Sequence, residues 1–192
     1  MTPFHYLVII DRKQCGQTLF LKALSRDLAK QNRLRGIFIH GDNERTEQLL
    51  QEGIMREAAR KRVTKETSKR LVDVFAESGI SCVSLELSQV ISKTSKGTTA
   101  VDDSLPKRIP GRTHLILSNL IDDGGKIVDL ELMAKNLAEV LEIPILKINH
   151  ADIHGIFVEK GDQNTNDLDV NESNIQHLSI QDWSRFEEIY PS

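Results

Sequence analysis

Two cysteines, Cys15 and Cys82, stand alone in separate segments of a 192-residue chain, without the paired spacing of a zinc site or a disulfide framework. Reduced thiols are therefore expected, with Cys82 in a strand. No apolar run approaches the ~20 residues that span a bilayer, and the opening LVII is far shorter than a signal-peptide core. A soluble, cytoplasmic protein with no membrane partner is the expectation. Neither charge sign dominates. The 25 basic and 28 acidic side chains leave a net charge of −3, which gives no nonspecific attraction to nucleic acid or anionic lipid. No internal repeat is present, and the length suits a single domain over residues 1–192.

What the chain does contain is alternation of strands and helices. The run YLVII at 6–10 reads as a strand, followed by a polar turn around RKQCGQ. A helix bearing Leu19, Phe20, Leu24, Leu28 and Ala29 on one face comes next, with Gly36 as its stop. The strand GIFI leads to a helix from about Asn43 to Gln51. A second helix, TKETSKRLVDVFAESG, is predicted to open at Thr64 and to close at Gly79, before the strand ISCVSLEL. Residues 88–113 are rich in Ser, Thr, Lys, Gly and Pro and predict a long loop or a hairpin. The pattern resumes with HLILSNLI, a turn at Asp122 to Gly125, and a helix with Leu130, Met133, Ala134, Leu137, Ala138 and Leu141 on its core face. Pro144 marks its end, IPILKIN follows as a buried strand, and WSRFEEIY reads as a short amphipathic helix. This order predicts βαβ units and a mostly parallel sheet.

Several clusters carry possible chemistry. In GIFIHGDN a strand enters His40 and Gly41 just before a helix, an arrangement that can cradle an anion on free backbone N–H groups. An ordinary connection is the alternative, with Asp42 or Asn43 capping the next helix. HADIH sets His150, Asp152 and His154 at alternating positions, but no further ligand is evident nearby, so no metal is assigned. Cys15 has no identifiable base partner. The cluster Arg56, Arg60, Lys61, Arg62, Lys65, Lys69 and Arg70 either meets an anionic ligand or is a solvated helix face interleaved with Glu57 and Glu66.

Taken in order, these pieces resemble the amino acid kinase family, and most of all its N-acetylglutamate kinases. The family's strand ending in His-Gly-Gly-Gly is similar to HGDNERTEQLLQEGI, and its Leu-Arg-Val-Thr segment opening a helix is similar to KRVTKETSKRLVDVF, with Arg62, Val63 and Thr64. Its Asn-Ala-Asp before an alanine-rich helix resembles DLELMAKNLAEVLEIP, with Asp129 and Glu131 in the two polar positions. Its Thr-Asp-Val-x-Gly-Val turn resembles ADIHGIF, with Asp152 and Gly155 kept. The resemblance implies a three-layer α/β/α sandwich, an acceptor-binding N-terminal half, an ATP-binding C-terminal half and a homo-oligomer. It places Gly41, Asp42, Asn43, Arg62, Asp129 and Glu131 at the substrate, and Arg12, Asp152 and Gly155 at the nucleotide. Lys13 and Asp152 are the catalytic candidates, with Mg-ATP as cofactor if the protein is active.

The chain departs from that pattern where the phosphate chemistry lies. The family's Lys-x-Gly-Gly turn falls on IIDRKQCG, with Ile10 or Asp11 in the lysine position, and Asp42 replaces a glycine of the second turn. The chain ends soon after WSRFEEIY, so much of the ATP half is expected to be missing. These features predict a degenerate, non-catalytic relative that binds a small carboxylate or acts as an oligomeric interaction module. The alternative is an ATP-dependent kinase of a small carboxylate such as N-acetylglutamate.

Overall fold

The computed structural model describes residues 4–30, 34–93, 99–101, 104–121, 126–147, 149–151, 155–157 and 175–176. At its centre lie three strands buried along their whole length: β1 (Tyr6–Ile10), β2 (Gly36–His40) and β6 (His114–Ser118). Strands covered on both faces carry unbroken apolar runs rather than alternating ones, as YLVII, GIFI and LIL do. With β3 (Cys82–Glu86), β7 (Ile145–Lys147) and β10 (Ile175–Gln176) they form a six-stranded sheet in the order β10-β7-β1-β2-β6-β3, every neighbouring pair parallel.

Alternate residues of β1, β2, β6 and β7 build two cores. Tyr6, Val8, Ile10, Phe38, Ile116 and Leu146 pack against α2 (Thr18–Lys30) and α4 (Arg56–Glu77). Leu7, Ile9, Ile37, Ile39, Leu115 and Leu117 pack against α6 (Leu130–Leu141) and against Leu105 and Ile109. The result is a three-layer α/β/α sandwich. Phe38 anchors the first core, with Phe75 edge-on to its ring at 5.0 Å and Tyr6 at 6.1 Å.

Several local expectations change. RKQCG is a one-turn helix, α1 (Arg12–Gly16), because Asp11 caps it: its Oδ1 accepts from the Gln14 N–H, and Gln14 Oε1 accepts from the Asp11 N–H. In α2 the buried positions are Phe20, Leu21, Leu24, Ser25 and Leu28, whereas Leu19 is 78% exposed. Gly36 does not stop that helix; it opens β2 beneath the Tyr6 ring. After α3 (Arg45–Gln51), α4 begins at Arg56 rather than Thr64, which is fully buried in mid-helix. Tertiary burial of Ala59 and Val63 against Leu49 extends the helix through a stretch whose sequence is dominated by charge. Its other end is as predicted. Gly79 adopts φ +76° and donates to Ala76 O while Ile80 donates to Phe75 O, so left-handed backbone satisfies the last carbonyls.

The segment 88–113 begins within a 3₁₀ turn at Leu87–Gln89. It contains an antiparallel hairpin, β4 (Ile91–Lys93) with β5 (Thr99–Val101), and a short helix, α5 (Leu105–Arg108). After β7, β8 (Asn149–Ala151) pairs antiparallel with β9 (Gly155–Phe157). The turn at 122–125 and the predicted helix WSRFEEIY lie outside the described residues. Among the described residues no helix is long and apolar enough to cross a membrane.

Candidate functional site

In a parallel sheet the carboxyl ends of the strands point to one edge, where loops and helix starts converge. Here that edge carries Asp11, His40 to Asn43, Glu86 and Ser118 to Asn119. Arg12, leaving β1 on α1, reaches across to the β2–α3 turn. Its Nη2 donates to Asn43 O at 3.3 Å and to Glu47 Oε1 at 2.9 Å, and lies 3.7 Å from Asp42 Oδ2. The Glu47 hydrogen bond, aided by the Asp42 and Glu47 charges, raises the Arg12 pKa against its partial desolvation. This exposed cluster contributes little stability. Its consequence is electrostatic, because the cation nearest the turn is already surrounded by oxygens.

The turn itself is filled from within. Cys15 is fully buried, its Sγ 3.6 Å from Ile10 O, and a backbone hydrogen bond from Gly41 reaches it. Burial pushes the Cys15 thiol far up, so it is a neutral packing group and not a nucleophile. His40, also fully buried, has Nδ1 3.0 Å from Gly41 O and Nε2 2.9 Å from Ser68 Oγ. Nδ1–H therefore donates to the carbonyl, and the Ser68 hydroxyl donates to Nε2. Burial lowers the His40 pKa to about 4, so the neutral ring is the form present near pH 7. Asn119 closes the other side: its N–H donates to His40 O at 3.0 Å and its Nδ2 to Val128 O at 2.7 Å. A side chain at Gly41 would meet the Asn119 amide at 3.3 Å.

Asn43 takes the capping role open to it. Its Oδ1 accepts from the Arg45 N–H at 2.9 Å while its Nδ2 donates to Thr67 Oγ1 at 3.0 Å, tying the turn to α4. Next to this contact lies an open cleft of about 510 Å³, lined by Gly16, Asn43, Arg45, Thr67, Lys69 and Arg70 together with Glu44, Gln48, Glu66 and Asp73. Arg70, one of the lining residues, donates to Gly16 O and to the Thr18 hydroxyl. Arg62 stands seven residues into α4 and does not open it; its Nε donates to Glu66 Oε1 at 3.0 Å, and Glu66 Oε2 pairs with Arg45 at 3.0 Å.

The remaining expected site residues are dispersed. Asp129 is the N-cap of α6, its Oδ1 accepting from the N–H groups of Glu131 and Leu132, both at 3.0 Å. Glu131 lies in that first turn, where a carboxylate favours the helix dipole. Replacing Asp129 with alanine should lower stability by about 1 kcal/mol, the usual cost of a lost cap, without weakening ligand binding. Denaturation midpoints and calorimetric titration check this. Lys13 is exposed on α1. Gly155 opens β9 and His150 lies in β8, while Asp152 and His154 lie outside the described residues. Among the described residues no group of three His, Cys, Asp or Glu side chains could hold a metal. Sequence reasoning missed Ser68, Thr67 and Asn119 as contacts of the His40–Asn43 turn, since only chain folding brings them there.

The solved structures that match include aspartate kinase from Synechocystis, at TM-score 0.60 and 12% identity, and isopentenyl phosphate kinase, at 0.53 and 13%, each over 77% of the chain. The chain has the amino acid kinase-like fold. It spans 28% of the matched aspartate kinase chain and 72% of the isopentenyl phosphate kinase. No family model matches the sequence, and no curated protein does. At these identities the likeness concerns the fold and not the activity.

Proposed function

We propose that this amino acid kinase-like protein is non-catalytic and binds a small carboxylate in the cleft between the β2–α3 turn and α4. The observation that carries the reading is the state of the phosphate edge: Arg12 is engaged by Asp42 and Glu47, and the Gly41 backbone is met by the Cys15 sulfur. A carboxylate such as Asp42 at about 4 Å from each unit of ligand charge costs roughly 1 kcal/mol in water and about 4 at intermediate dielectric. The Asp42 carboxylate at this turn therefore disfavours a transferring phosphate there. The cleft beside it sets Arg45, Lys69 and Arg70 against Glu44, Glu66 and Asp73, with Arg45 paired to Glu66 and Arg70 bound to Gly16 O and Thr18. Lys69 lines it together with the Asn43 and Gln48 amides, and these suit a carboxylate.

Thermal unfolding with Mg-ATP and, separately, with N-acetylglutamate tests the reading. A ligand at a hundred times its dissociation constant stabilises by about 2.7 kcal/mol, a shift of several degrees for this length. The expected result is a shift with the carboxylate alone, lost in Lys69→Ala. A shift with Mg-ATP, followed by turnover that depends on Lys13 and Asp152, would establish the kinase instead. No shift with either ligand, with a dimer in sedimentation, would point to the oligomeric interaction module.

A further inference from the structure

Buried hydroxyls with no hydrogen-bond partner among the described residues include Thr64 Oγ1 on α4 and Ser118 Oγ at the end of β6, on side chains 0% and 1% exposed. The sheet register sets His40, Ser118 and Glu86 side by side at the ends of β2, β6 and β3. Helix α4 holds both flanks of that row, through Ser68 to His40 at 2.9 Å and Lys65 Nζ to Glu86 Oε1 at 3.0 Å. Ser118 stands between them in the register, on β6, against which α4 packs. Thr64 is next to Lys65 and one turn before Ser68, on the stripe that continues through Leu71 to Phe75. That stripe faces the sheet, because Phe75 packs on Phe38.

We infer that one buried water molecule sits between α4 and the end of β6, hydrogen-bonded to the Thr64 and Ser118 hydroxyls. Buried hydroxyls in folded proteins are almost always partnered, and internal waters occur about once per 27 residues, at polar sites of this kind. The chemistry selects a neutral ligand. Lys65 disfavours a cation at this place and Glu86 an anion, whereas water supplies both donors and acceptors to hydroxyls that can act either way. The water does for β6 what Ser68 does for β2 and Lys65 for β3. All three strand ends at this edge are thereby tied to one helix.

The test compares Thr64→Val, which keeps the shape and removes the hydroxyl, with Ser118→Ala and the double variant, by thermal unfolding of the full chain. Each single change should lower Tm by a few degrees, and the double should fall no further than one single, since both lose the same water. A rise in Tm for either single variant would mean a dry interface relieved of an unmet hydroxyl, and additive losses would mean no shared water; either overturns the inference. Water-to-protein NMR cross-relaxation at the Ser118 β protons gives a second readout. A long-lived water signal is expected in the parent and lost in Thr64→Val, and its absence from the parent also refutes the site.

Discussion

Taking the protein from pH 7 to pH 5 should cost about 4 kcal/mol of folding stability, or ~10 °C in Tm, through His40 and His114. Both rings are buried, and burial lowers each pKa to about 4, with the Arg35 charge adding to the effect at His114. In the unfolded chain each histidine titrates near 6.5. Above that pH both states are neutral and the stabilisation is fully present. As pH falls below it, the unfolded state gains protons that the folded state refuses, and stability drops until the folded value near 4 is reached. At His114 the chemistry allows a clean subtraction, because its Nδ1 accepts from the Gly36 N–H at 3.1 Å and an asparagine Oδ1 can take that place. His114→Asn should remove about half of the loss between pH 7 and 5. An unfolding series in which parent and variant lose stability equally would contradict the assignment.

Gly36→Ala should destabilise by about 3 kcal/mol, at the upper end of overpacking costs. The added Cβ would stand 2.1 Å from Tyr6 Cε2 and 2.4 Å from Cζ, on a ring only 1% exposed and packed against Phe38. In an unobstructed strand the same change would gain roughly 0.5–1 kcal/mol from the reduced freedom of the unfolded chain, so the steric term decides the sign. Shrinking the ring provides the control. In a Tyr6→Leu background the cost of Gly36→Ala should fall sharply, as a double-mutant cycle by chemical denaturation would measure. A neutral or stabilising Gly36→Ala would show that the ring yields freely.

The same two positions mark the limit of what can be read from one dimension. Gly36 looked like a helix stop because glycine often is one; its actual reason is a ring thirty residues earlier in the chain. His40 was visible as part of HGDN, but its depressed pKa arises from the strands and helices that exclude water from it. Thr64 carried the composition of a helix start and lies instead in mid-helix, where burial against the sheet overrides the local signal.

The sequence by itself determined the layered α/β plan. Short apolar runs such as YLVII and HLILS, bounded by polar turns, fit strands covered on both faces, and the stripe from Leu130 to Leu141 fits a helix with one buried face. It also determined that a carboxylate, Asp42, stands in the second turn, since charge is a property of the residue. Tertiary structure alone decided what surrounds that carboxylate. Arg12 reaching Asp42 and Glu47, Cys15 meeting Gly41, and Thr67 holding Asn43 join residues up to 35 apart in sequence. Local propensity acts over a few residues, whereas side-chain contacts depend on strand order and helix placement, which only the folded chain fixes.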